Sequence, residues 1–302
     1  MRNSTHPQVL PVWRSILFVP AVSDRFVESA FKQPADLLQI DLEDSVGPLQ
    51  KEEARARVGT IADRFAAAGR DVSVRVNRPW RMLVRDLEAT VRKSVLAIAL
   101  PKIPDASFVV SVGEVLAELE REQGLAQGHT RIIGMVEDAE GLSNMNEIAS
   151  AHSRMVGLIV GAEDLAVSMR MAVDDDGLYV PNVMGVAAAR RAGIIPVGFI
   201  GSVADFKDPE AFRARIRRAR KLGFDAAFCV HPTQVPIINE EFAPTADEVE
   251  YAVGLIAEFE REVNSGRAAF TYKGRMVDLP IVDQARMVLA RHQAIAARTS
   301  GR

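Results

Sequence analysis

The chain has 302 residues, 48% of them hydrophobic, and a formal charge of -3: enough to bury a large core, and too near neutrality to favour nucleic acid or an anionic membrane as partner. One cysteine excludes an internal disulfide and suits a reducing compartment. The opening MRNSTHPQVLPVW lacks an apolar run of signal-peptide length and no stretch could span a bilayer, so a cytoplasmic, enzyme-like protein is expected.

Short β-rich runs recur at 15–20, 36–42, 72–77, 95–100, 132–136, 155–160, 194–200 and 226–230. Helical patterns lie between them: 24–32 behind Ser23, 50–68 closed by Gly69, 83–94, 108–123 closed by Gly124, 142–151, and 209–222 closed by Gly223. About eight β/α units in a length near 250 residues predict an α/β fold, a (β/α)8 TIM barrel. An open doubly wound sheet is the runner-up, weakened because no G-x-G-x-x-G follows the first strand. The run RARIRRARK reads as a solvated outer face, and Cys229 in AAFCVHP as a buried thiol. After Pro232 the rhythm stops. The barrel is assigned to 1–240 and a C-terminal helical extension to 241–302, with helices over 248–263 and 282–298 joined by a polar linker over 264–274. That extension is expected to be too small for a core of its own, and so to pack on the barrel or on another subunit.

The central stretch is RIIGMVEDAEGLSNMNEIASAHSRMVGLIVGAEDL. Two apolar strands in it end in acid, at Glu137-Asp138 and at Glu163-Asp164. Consecutive parallel strands point the same way, so both acidic ends emerge on the face where such proteins bind ligands. Glu137 and Asp164 are therefore candidate ligands for a hard divalent cation such as Mg²⁺, which takes few protein ligands. The bland alternative makes Asp164 a helix N-cap and Glu137 a solvated loop acid.

Alternation places Asp41 and Glu43 of QIDLED on one strand face, and Ser73, Arg75 and Asn77 of VSVRVN on another. Lys102, after LAIALP, adds a cation at the same rim. Such groups inside a barrel are costly unless they pair with one another, a metal or a ligand. One reading is an internal salt-bridge cluster. The other gives Arg75 a carboxylate to bind, so that Arg75 and a metal at Glu137 and Asp164 hold a 2-oxo acid for carbon–carbon chemistry. No residue of the barrel reads as an obvious base.

In this order RSILFVP, DLLQIDLEDSV, VSVRVN, LPK, MVEDAEGLSN, GAEDLA and GFDAAFCVHPTQVPIINEEFAP resemble the citrate lyase β-subunit and malyl-CoA lyase family of the HpcH/HpaI aldolase superfamily. The resemblance runs from about Arg14 to about Arg291 and implies a TIM barrel, Mg²⁺, and cleavage or formation of 3-hydroxyacyl-CoA thioesters. It implies CoA-thioester and 2-oxo-acid substrates and a homo-oligomer, a trimer or hexamer. Matched by position, Glu137 and Asp164 would hold the metal and Arg75 the oxo-acid carboxylate. Asp41, Glu43 and Asp44 match the acidic cluster of the second strand, the first two entering as catalytic candidates. Asp278, in GRMVDLPIVDQA, matches the segment that lays an acid into a neighbouring subunit's site and would supply the acid/base. Pro20 and Arg25 of PAVSDRF, with Ala162 and Glu163 of GAEDLA, are substrate-binding candidates. The chain departs from the pattern at Ala21, Ser29, Asp138 and Gly198, where many relatives place Gly, Lys, Thr and Asp. Asp138 is expected to add charge near the metal. A CoA-independent class II pyruvate-type aldolase and a non-catalytic 2-oxo-acid- or CoA-binding relative are the alternatives.

Overall fold

The computed structural model describes residues 10–264 and 269–300. The opening residues 1–9, where no leader is expected, and 265–268 of the expected linker lie outside the described residues. In chain order come β1 Ser15–Pro20, α1 Asp24–Phe31, β2 Leu37–Asp41, α2 Lys51–Ala67, β3 Asp71–Arg75, α3 Trp80–Thr90, β4 Ala97–Leu100 and α4 Ala106–Glu122. They continue with β5 Arg131–Val136, α5 Ala139–Ser143, α6 Met145–Ala149, β6 Met155–Val160, α7 Ala162–Met169 and α8 Asp175–Ala192. Then follow β7 Ile195–Val197, α9 Pro209–Leu222, β8 Ala227–Cys229 and α10 Gln234–Glu241.

Every neighbouring pair from β1 to β7 is parallel, and β8 pairs in parallel with β1. A parallel bridge between Val197 and Ala226, with Gly198 N–H donating to the Ala226 carbonyl at 2.8 Å, joins the two ends of the sheet. Eight parallel strands thus close into a (β/α)8 barrel, the expected fold. Residues from most of the strands build the interior: Ile16, Leu37, the small Ala97 and Ala99, Ile133 and Phe228 among them. Trp13 joins this cluster ahead of β1, its indole N–H donating to Asp71 at 2.7 Å.

Several strands stop before the expected limit. β2 ends at Asp41, β3 at Arg75 and β7 at Val197, though Leu42 N–H still donates to the Arg75 carbonyl and Val76 N–H to the Ala99 carbonyl. Past β3 the polar Asn77 leaves the ladder, its N–H donating to Asp86. It was expected to share the face of Arg75, but its amide donates to Asp86 of α3 (2.7 Å) and to the Leu42 carbonyl (3.0 Å), away from the cavity described below. The helix expected over 142–151 is two short helices meeting at Asn144. The basic face of α9 lies outward, with Arg215 paired to Asp205 at 3.0 Å, while Phe212 and Ile216 face the core. Cys229 is buried, as expected, and burial pushes its thiol well above the usual range.

The chain divides into two compact units, at Asn239 and Glu240. The second contains α11 Ala246–Asn264, the antiparallel strands β9 Phe270–Tyr272 and β10 Arg275–Val277, and α12 Leu279–Ser300. It corrects two expectations. The polar linker carries a hairpin turning at Lys273-Gly274, and the unit has a small core of its own. Leu255, Val277 and Val282 are fully buried there, with Phe259, Phe270 and Tyr272 packed on them. A hairpin covering two helices buries more apolar surface than two bare helices can.

Among the described residues no helix is long and apolar enough to cross a membrane. The barrel also holds a buried ion pair remote from the strand-end acids: Glu120 of α4 accepts from Arg154 at 2.5 and 2.7 Å, and from the Gly128 and Thr130 N–H groups. Burial works to raise the Glu120 pKa, and these hydrogen bonds overcome it to hold the carboxyl below its ordinary value. Glu120→Gln leaves Arg154 buried beside a neutral amide and is expected to cost about 3–5 kcal/mol of stability by urea unfolding at pH 7. A carboxylate with a depressed pKa stabilises above its unfolded value of 4.5 and less as pH falls below it, so the gap between variant and native protein should narrow in acid.

Candidate active site

The carboxyl ends of the strands surround a cavity of about 350 Å³. Asp41 and Arg75 reach it from the last residues of β2 and β3, Glu137 from just after β5, and Asp164 from the first turn of α7. Glu137 and Arg75 are buried, at 4% and 8% exposure, so their charges must be answered locally.

Arg75 is the centre of the acid cluster. Its Nε and Nη2 each lie 2.7 Å from an oxygen of the fully buried Asp41, a two-point clamp. Its Nη1 is 3.0 Å from Glu43 Oε2, in an ion pair without hydrogen-bond alignment, and 3.3 Å from Asp44. The Phe18 ring lies 4.7 Å below the guanidinium. Burial acts to raise Asp41, but Arg75 and the Ser45 and Glu43 N–H groups hold it below the usual carboxylate range. Glu43 is pushed up, by burial and then by the neighbouring Asp44.

Lys102 joins this cluster to the acids on the next strands. Its backbone N–H donates to Glu137 Oε2 at 2.9 Å, and its ammonium is 3.1 Å from Glu43 and 3.5 Å from Asp164. The residue adopts φ +50°, a left-handed conformation that a lysine takes up only under constraint. Burial would lower its pKa, but the carboxylates of Glu43, Glu137 and Asp164 hold the ammonium above its ordinary value.

Glu137 is pushed up to about 7, first by burial and then by the charges of Glu43 and Asp164. A carboxyl crowded by others and sealed from water is stabilised as the anion by an added cation. All the donors are hard oxygens, which suits Mg²⁺. Among the described residues no three His, Cys, Asp or Glu side chains converge at metal-binding spacing. Glu137 and Asp164, which both line the cavity, are the residues that would hold such a cation.

The helix-cap reading of Asp164 does not hold. Gly161 occupies the N-cap of α7 and Asp164 lies inside its first turn. Gly161 also makes room for Glu137: a Cβ there would sit 2.6 Å from both Cγ and Oε1 of that side chain. The expected extra charge at Asp138 is spent elsewhere, because its carboxylate caps α5 by accepting from Gly141 N–H at 2.7 Å. Pro20, Ala162 and Glu163 line the cavity, and Glu163 accepts from Ser202 at 2.5 Å. Arg25 is exposed and outside the wall, its guanidinium 5.8 Å from the ring of Phe26, which does line it. Asp278 belongs to the second unit, where its carbonyl accepts from Ile281 and Val282 N–H at the start of α12.

With this geometry in hand, the comparisons decide the family. The model of the HpcH/HpaI aldolase/citrate lyase family matches residues 14–232. The chain belongs to that family. Citrate lyase subunit beta of Escherichia coli K12 is 32% identical over 290 residues, covering 94% of this chain and 95% of that protein. The L-malyl-CoA/beta-methylmalyl-CoA lyase of Cereibacter sphaeroides is 31% identical over 310 residues, covering 94% and 96%. A crystal structure of CitE from Mycobacterium tuberculosis with magnesium, acetoacetate and coenzyme A is 28% identical, with a TM-score of 0.71 over 92% of this chain and 97% of that one. The two curated relatives are carbon–carbon lyases.

Within this family member, sequence reasoning missed the bridging role of Lys102, the close approach at Gly161, and Ser202. The glycine opening GAEDL was a usable signal; Ser202 had none. Gly161→Ala must push Glu137 out of place, because the obstructing atoms include the first carbons of its side chain. It is expected to cost about 1–3 kcal/mol by thermal unfolding, as overpacking does, and to weaken Mg²⁺ binding measured by calorimetry.

Proposed function

We propose that this chain is a Mg²⁺-dependent carbon–carbon lyase that cleaves or forms a 3-hydroxyacyl-CoA thioester, such as citryl-, malyl- or citramalyl-CoA. The products of cleavage would be acetyl- or acyl-CoA and a 2-oxo acid. The observation that carries this reading is the meeting of Glu137, Asp164 and Arg75, from separate strand ends, on one largely apolar cavity. The names of the two lyase relatives and the magnesium, acetoacetate and coenzyme A of the mycobacterial structure support it.

Glu137 and Asp164 would hold Mg²⁺, which when bound supplies Lewis-acid polarisation of an oxo-acid carbonyl. The N–H groups of Ala162 and Glu163, in the first turn of a helix whose N-cap is a glycine, are donors for the oxo-acid carboxylate. Arg75 adds positive charge on the same cavity wall, held in place by its two bonds to Asp41. Glu43 fixes the Lys102 ammonium beside Asp164. Pro20 on the cavity wall and Arg25, exposed next to the lining Phe26, would meet the thioester half. In cleavage the substrate hydroxyl loses a proton, the carbon–carbon bond opens, and the α-carbon of the departing acyl-CoA takes up a proton. Asp278 of a neighbouring copy, in a trimer or hexamer, is the acid/base for that carbon. The domain split goes with this reading: barrel to about residue 240, then an extension that serves the next subunit.

A CoA-independent class II pyruvate-type aldolase is the second reading. One observation favours it: Pro20 lines the cavity, while Arg25, the charged candidate of the same loop, stands outside. Release of acetyl-CoA from citryl-, malyl- and citramalyl-CoA separates the two. Mg²⁺-dependent release, lost with EDTA and in Glu137→Ala at unchanged melting temperature, is the expected result; no release from any of the three contradicts the thioester reading. Asp278→Asn should lower kcat about 10²–10⁴-fold. Unchanged turnover would remove Asp278 from the mechanism.

A further inference from the structure

We infer that the oxo-acid half of the substrate carries a single carboxylate and a short hydrocarbon substituent, so that pyruvate or its next homologue fits and the dicarboxylate oxaloacetate does not. The inference rests on the lyase reading above and names the substrate class within it.

The charges on the cavity wall come first. Five carboxylates line it, those of Asp41, Asp44, Glu137, Glu163 and Asp164, against one guanidinium, that of Arg75. Arg75 is already held by Asp41 at two points and faces Glu43 and Asp44 with the rest of its fork. Lys102, the other cation of the cluster, is tied to Glu43 and Asp164. One divalent cation and the N-terminus of α7 can answer one carboxylate. A second carboxylate would have no basic side chain of the wall left to receive it, and would face a surplus of negative charge.

Apart from Ser45, the remaining side chains of the wall are apolar. Phe18, Met135, Ile159, Phe199, Val203 and Phe228 line the cavity beside the acids. The rings are fixed by packing: Phe18 lies 5.0 Å from Phe228, and Phe199 meets Phe212 edge-on at 5.5 Å. Position 198 offers nothing polar either. It is a glycine at φ +137°, a conformation that L side chains rarely adopt, and a Cβ there would meet Phe224 at 3.3 Å. A methyl or ethyl group buries apolar surface against this wall, whereas a carboxylate in the same place loses its hydration without gaining a partner.

The test is carried out on the full chain with Mg²⁺. Affinities for pyruvate, 2-oxobutanoate and oxaloacetate are measured by calorimetry, and each acid is then offered with acetyl-CoA for condensation. The expected result is that pyruvate and 2-oxobutanoate bind at least tenfold tighter than oxaloacetate and exceed it roughly 100-fold in kcat/KM, the scale on which an unmatched polar group is rejected. Oxaloacetate binding as tightly as the others overturns the inference, even if condensation proceeds and the lyase reading stands. If no oxo acid binds, the inference is overturned as well. If the monocarboxylates bind preferentially but none condenses, the inference holds and the thioester lyase reading falls. Val203→Arg, on a partly exposed part of the wall, supplies the missing cation and should raise oxaloacetate affinity relative to pyruvate at least tenfold; an unchanged ratio would count against the inference.

Discussion

Four carboxylates at the ends of three parallel β/α units stand close enough to disturb one another, and the rest of the site depends on how that repulsion is contained. Asp41 is neutralised outright by the two-point clamp on Arg75. Glu43 is shared between Arg75 and Lys102. Glu137 and Asp164 are left with one lysine ammonium between them, and Glu137 responds with a pKa raised to about 7. The cluster is short of positive charge at one place, beside those two carboxylates. A hard cation there would remove the shortage, which is the physical ground for proposing a cation site beside the internal ion pairs.

The fold supplies this concentration of charge at a tolerable cost. Parallel strands bring their carboxyl ends to one rim, and closure of the sheet at the Val197–Ala226 bridge brings the first and last strands to the same cavity. Apolar layers beneath, from Trp13 to Phe228, surround a buried polar pair, Gln39 and Ser73, and leave the charged acids of the site at the rim. The same arrangement gives the cavity its two characters, since acids and phenylalanines line one space. The division between binding charge and excluding it follows from that contrast.

Much of this was legible in the sequence because it depends on period and position. Strands ending in acid, alternating polar residues in QIDLED and VSVRVN, and glycines closing helices all follow from local chemistry, and the eight-stranded barrel follows from their repetition. Less legible were features decided by a third partner. Asn77 shares the parity of Arg75, yet Asp86 from α3 turns it away. Asp138 looks like a metal-side acid, but the start of α5 needs a cap and takes it. The reading assigns no helices to the span of α7 and α8, where an Asp-rich turn precedes α8 and Pro181 lies inside it, both signals that ordinarily mark a loop. In the second unit, short β9 and β10 carry too few residues for a period-2 pattern to appear.

Of the two readings of Arg75 that the sequence left open, the structure shows the internal salt bridge, and the residue also lines the cavity where the proposed substrate would lie. The clamp by Asp41 makes it a fixed source of positive charge instead of an open fork. The central claim is therefore that Glu137 and Asp164 together form the cation site, with Arg75 as its fixed neighbour. Calorimetric titration of Mg²⁺ into the native chain and into Glu137→Gln and Asp164→Asn tests it most directly. The account predicts one saturable site per chain, lost in both variants while their melting temperatures stay near the native value. Mg²⁺ binding that survives in both variants at native affinity would contradict it.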